Sequence, residues 1–149
     1  MTRMVVSLLL FVFVFAGCGT NKRPAGMPKL TPCEFTFQYE DGTPLEKAFV
    51  MMYPVVGQWY ANGTTDSNGF AKMSTQGLYT GAAPGEYKVT VTKQDIIDPP
   101  GYIPGNEDNP ASIVKDLIDR GFATPDKTPL KINVATTPIK ETFKVKKPK

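Results

Sequence analysis

Histidine is absent from this 149-residue chain, cysteine occurs twice and tryptophan once. Lack of an imidazole removes the usual general base near neutral pH and the central member of Ser-His-Asp and Cys-His constellations, which excludes most familiar nucleophilic chemistry. Carboxylate pairs survive as acid-base candidates: Glu107 beside Asp108, and Asp116 three residues before Asp119. Such pairs serve glycoside hydrolysis when they converge on a cleft, but neighbouring acids are ordinarily just solvated, and the protein is expected not to be an enzyme. Asp66-Ser67-Asn68-Gly69 offers the oxygens and the glycine that open a calcium loop. No glutamate stands at the closing position, so the segment reads as a turn, and neither a metal nor a cofactor is expected.

No apolar run reaches the ~20 residues that a helix needs to cross a ~30 Å hydrocarbon core. The run from Met4 to Ala16 holds 13 residues behind Arg3 and leads into Gly17-Cys18. A basic start, a short apolar stretch and small residues at its end make residues 1–17 a signal peptide, removed from the mature protein. Phe15-Ala16-Gly17-Cys18 resembles the lipobox of bacterial lipoproteins, with phenylalanine where leucine is usual. That resemblance implies diacylglyceryl and palmitate chains on Cys18; at ~0.8 kcal/mol per buried methylene they would anchor the chain to a membrane. Gly19, where aspartate would signal inner-membrane retention, implies the outer membrane if the cell has two membranes. Residues 18–32 then form the lipidated cysteine and a flexible tether, since 19–32 contain three prolines, two glycines and no acid.

Loss of Arg3 leaves 16 basic against 14 acidic residues, but the signs are segregated. Residues 19–32 carry +3, residues 140–149 carry +4, and the body between them, 33–139, carries −5. An acidic body without a basic, aromatic-interleaved face argues against a nucleic-acid partner. With Cys18 lipidated, Cys33 has no partner for an intramolecular disulfide and is expected as a buried strand residue.

Residues 33–39 alternate, with Cys33, Phe35, Phe37 and Tyr39 on one face, as a half-buried strand does. Further strands are expected at 48–53, at 59–61, at 69–75 with a hairpin turn at 66–69, at 86–93, at 129–135 and at 140–146. Residues 95–109, rich in proline and glycine, read as an excursion from the sheet. One helix should follow, capped by Asp108 or Asn109, with Ile113, Val114, Leu117 and Ile118 as its apolar stripe and Gly121 at its end. The sum is mainly β: an antiparallel β-sandwich of about seven strands with one short helix in a late loop insertion.

Four segments occur in an order that resembles the carboxypeptidase-regulatory-like or transthyretin-like domains of small bacterial lipoproteins. They are Asp41-Gly42-Thr43-Pro44-Leu45 with Ala48-Phe49-Val50 and Tyr53-Pro54; residues 63–70; residues 85–91; and Thr128-Pro129-Leu130. The resemblance covers roughly residues 33–146 and implies an Ig-like (prealbumin-like) sandwich, placed here over residues 33–147. Lys47 departs from the glycine often found at its position, and the stretch 95–127 is longer than in typical relatives.

Function reads as a membrane-anchored surface or periplasmic lipoprotein of the cell envelope, its sandwich a non-catalytic structural or interaction module. Its partners would be the membrane, through Cys18, and an envelope protein or cell-wall polymer. The alternative is a carbohydrate- or peptide-binding module using the loop aromatics Trp59, Tyr60, Tyr79 and Tyr102, whose rings can stack on sugars or peptides. The lysines of 140–149 read as protection of an edge strand.

Overall fold

The computed structural model describes residues 23–106, 108 and 110–149, and among them lie eleven strands and one short 3-10 turn. Strand β1 (Cys33–Tyr39) buries every second residue, as does the central part of β2 (Phe49–Pro54); β7 (Gly85–Thr92) buries Tyr87, Val89 and Val91 on its core face and Thr90 on the other. Period-two burial gives each strand one core face and one outer face. Strands β3 (Ala61–Thr64), β5 (Ser74–Thr75), β6 (Tyr79–Thr80) and β10 (Lys131–Val134) complete a six-stranded sheet in the order β10-β7-β2-β3-β5-β6. Strands β4 (Phe70–Lys72) and β11 (Ile139–Val145) flank β1 in a three-stranded sheet.

The two sheets share one core, in a sandwich-like arrangement. Phe35, Phe37, Phe143 and Val145 come from the smaller sheet, and Val50, Met52, Tyr87, Val89, Val91 and Val134 from the larger. Phe143 sits at the centre of an aromatic group, edge-on to Phe35 at 5.3 Å between centroids and stacked on Phe37 at 5.2 Å. Cys33 is buried as expected, its Sγ 3.3 Å from the Thr31 carbonyl, and burial pushes the thiol pKa up. Among the described residues no helix is long and apolar enough to cross a membrane.

Three expectations are corrected. First, the sheets are not wholly antiparallel: β11 pairs with β1 in parallel, from Cys33↔Ile139 to Tyr39↔Val145. β10 belongs to the opposite sheet, so the chain changes layers before β11 and arrives running the same way as β1. Second, residues 69–75 do not fold back on β3 as one hairpin arm. They divide at the buried Met73: β4 pairs with β1, and β5 pairs with β3 in the other sheet. A strand that switches sheets closes a corner of the sandwich.

Third, the expected helix does not form. Residues Ile113–Asp116 are strand β9, antiparallel to β8 (Gln94–Ile97), with Ile97↔Ile113, Ile96↔Val114 and Asp95↔Lys115 opposite one another. β-branched Ile and Val lose little χ1 freedom in a strand, and facing β-branched and opposite-charge pairs stabilise the ladder. Only the end of the stripe enters the core: Ile118 is buried, and so is Phe122 of a 3-10 turn, Arg120–Phe122, capped by the Asp119 carboxylate accepting the Gly121 N–H at 2.7 Å. Asn109, proposed as a cap, lies outside the described residues.

Candidate functional site

The outer face of the six-stranded sheet carries a concavity built from several strands. Val50 and Met52 point into the core, so Met51 and Tyr53 point out; the same parity turns Glu86 and Lys88 of β7 outward. Register then sets Lys131 opposite Lys88 and Lys88 opposite Tyr53, giving a row across three strands. Tyr60, just before β3, extends the row: its ring meets that of Tyr53 edge-on at 5.6 Å between centroids. Two adjoining hollows lie along this row. One, of about 400 Å³, runs over Glu86, Lys88, Lys131 and Asn133; the other, of about 290 Å³, over Tyr53, Tyr60, Lys88 and Pro125, and Val55 and Lys88 line both. The Lys88 ammonium lies 4.0 Å from the exposed carboxylate of Asp126.

The four aromatics singled out from the sequence fall in separate places. Tyr60, 48% exposed, joins the row. Trp59 is half-buried, and its carbonyl accepts the Tyr87 hydroxyl at 3.3 Å. Tyr79 is half-buried on β6, the edge strand, and Tyr102 is exposed in the loop between β8 and β9. Tyr53, which was not among the loop aromatics, is the ring that partners Tyr60. Its signal was its outward parity relative to Met52, which shows only once the core face is known.

Neither a protein-family model nor a curated protein sequence matches this chain. Among solved structures, a 9R-lipoxygenase from Cyanothece PCC8801 is similar at 15% identity and a TM-score of 0.41, over 83% of this chain and 18% of that one.

A second exposed feature is the β8–β9 arm, which stands apart from both sheets. Ile96 and Val114 project on one face, Ile97 and Ile113 on the other, and their exposures run from 45% to 66%. A two-stranded ribbon with apolar side chains on both faces is marginal in water by itself. Its base is polar and well tied. Gln94 Nε2 donates to Asp116 Oδ1 at 2.8 Å, Arg120 Nε to Asp116 Oδ2 at 2.6 Å, and these bonds lower the Asp116 pKa. The Leu117 N–H donates to the Lys93 carbonyl, and the Tyr39 hydroxyl to the Leu117 carbonyl.

Two of the carboxylates considered for catalysis are engaged structurally: Asp116 braces the arm and Asp119 caps the 3-10 turn. The Asp108 backbone N–H donates to Asn106 Oδ1, and Glu107 lies outside the described residues. The calcium-like segment is an Asx turn in which Asp66 Oδ1 accepts the N–H groups of Asn68 and Phe70 at 2.8 and 2.9 Å. No group of three or more His, Cys, Asp or Glu side chains among the described residues could hold a metal ion.

Lys140, Lys146 and Lys147, in and just after the last strand, are paired with acids. Lys140 and Lys72 flank Glu34 at 3.1 and 4.0 Å, as their register across β11, β1 and β4 requires. Lys147 donates to Asp41 at 2.8 Å, holding that carboxyl far below its usual range, and its ammonium lies 5.1 Å from the Tyr39 ring centroid. Cys18 lies outside the described residues.

Proposed function

We propose that the chain is an envelope lipoprotein: a non-catalytic module of the Ig-like, carboxypeptidase-regulatory-like kind, held to a membrane by lipid on Cys18 and displaying the β8–β9 arm to a protein partner. The observation that carries this reading is the placement of two features at opposite ends of the sandwich. The chain enters β1 where Thr31 bridges to Ala82, beside the starts of β1 and β7. The arm leaves where those strands finish, with Leu117 beside Tyr39 and Asp119 bonded to Lys146. Residues 19–29, which include a turn at Pro24–Met27 and lead to the buried Leu30, would set the distance between the sandwich and an anchor at Cys18. The exposed isoleucines would then face away from the membrane, where an outer-membrane or periplasmic partner could cover them.

Mass spectrometry of the mature N-terminus tests the anchor, with diacylglyceryl and acyl mass expected on Cys18. A cleaved chain that begins elsewhere without lipid would refute it, and Cys18→Ser should move the protein into soluble fractions. Replacing residues 95–115 by a short Gly-Ser linker spares Gln94, Asp116 and the buried Ile118. This variant should keep its β circular dichroism and lose in vivo cross-links; unchanged cross-links would remove the arm from the proposal. A second reading, sugar binding by exposed aromatics, is favoured by the Tyr53–Tyr60 pair beside two lysines.

A further inference from the structure

We infer that the two adjoining hollows along β10, β7 and β2, reaching to Tyr60 just before β3, bind an anionic carbohydrate, one whose sugar rings carry carboxylate or phosphate groups. The inference deepens the sugar-binding reading and rests on it; it does not depend on the lipid anchor. Lys88 and Lys131 occupy directly opposite positions on one face of an antiparallel pair. Like charges so placed repel, and a sheet selected for stability alone would not keep them. Within the fold their relief is slight. Among the described residues the loose ion pair of Lys88 with Asp126 is the one that either lysine makes, and that carboxylate is 95% exposed, where such pairs contribute little. Glu86 and Asn133, the next facing pair on this side, put one acid in the hollow without bringing it into an ion pair with either lysine.

An anion seated between the two ammonium groups would offset their mutual repulsion. Beside them the row becomes aromatic: Tyr53 and Tyr60 present rings at 87° to one another, with Val55 and Pro125 closing the hollow. Tyrosine offers an apolar face for the C–H side of a sugar ring and a hydroxyl for its polar rim. At about 4.8 Å between neighbouring strands the row from Lys131 to Tyr60 runs about 14 Å, the length of a short oligosaccharide rather than of a lone ion. Lysine ammoniums on flexible stems accept carboxylate or phosphate alike, as point charges.

Titration calorimetry of the full chain at low salt against trigalacturonate, glucose 6-phosphate and maltotriose tests the inference and separates the two sources of charge. At least one of the two anionic sugars should bind at least tenfold more tightly than maltotriose, and the preference should shrink as salt is raised. Lys131→Ala and Lys88→Ala should each weaken that binding about tenfold while leaving the melting temperature unchanged or higher, because each removes a repulsion. Tyr60→Ala should weaken the anionic and the neutral sugar together. Equal binding of maltotriose, lost in Tyr60→Ala but not in the lysine variants, would overturn the anionic class and leave sugar binding standing. No binding of any of the three at millimolar concentration would overturn both. Lysine variants that melt lower and bind as before would assign the pair a structural role and refute the inference.

Discussion

Gly69→Ala is the single-methyl change the fold should tolerate least. Gly69 lies in the turn before β4 with φ +75°, and a Cβ there would overlap the carbonyl oxygen of Phe37. The two backbones are already joined: the Phe37 N–H donates to the Gly69 carbonyl at 2.7 Å. A left-handed conformation costs an L-residue roughly 1–2 kcal/mol. Relieving the overlap means moving the turn off β1, which stretches that interior bond, contributing about 1 kcal/mol net. The total is roughly 2–3 kcal/mol, a large share of the ~5–15 kcal/mol a domain has. Gly42→Ala is the control. Gly42 has φ +86° but nothing within 4 Å of its Cβ position, so it carries the conformational cost alone. Urea unfolding followed by circular dichroism should place the Gly69→Ala midpoint well below that of Gly42→Ala, with equal slopes. Midpoints that agree within error would refute the close approach of this turn to β1.

Val89→Asp should abolish folding. Val89 is fully buried on β7 between β2 and β10, and an unpaired carboxylate there costs several kcal/mol, so an unchanged melting temperature would show the inward face of β7 to be misassigned. Stability should also fall on the alkaline side. Burial pushes the Tyr87 hydroxyl up to about 12 and raises Cys33, so the unfolded chain loses these protons at lower pH than the folded one. The stabilisation they contribute is complete below about pH 9 and disappears as pH rises toward about 12. Urea midpoints measured from pH 8 to 11 should decline, and the decline should be shallower in Tyr87→Phe; a flat profile would contradict the burial of both groups.

Much of the core was legible because one face of each long strand is buried and the other is not. Cys33, Phe35, Phe37 and Tyr39, and likewise Tyr87, Val89 and Val91, advertise their direction by parity alone. The β8–β9 arm was not legible. Ile113, Val114, Leu117 and Ile118 fit a helical stripe, and what makes 113–116 a strand is its pairing with Ile96 and Ile97 on a segment well upstream, a long-range contact that no local window contains. The split of residues 69–75 has the same cause, because Phe70–Lys72 and Ser74–Thr75 read as one strand until β1 and β3 claim them separately. The row on the outer face needed two registers at once. Tyr60 drew notice as a loop aromatic, whereas Tyr53, Lys88 and Lys131 are ordinary strand residues in sequence and become a row only when β2 and β10 flank β7 in the observed alignment. Local chemistry therefore revealed which residues face inward, while the groupings on the outer faces depend on which strands become neighbours. For that reason the facing lysines, which local patterning does not explain and stability does not favour, mark the place where selection for something other than folding is the simplest account.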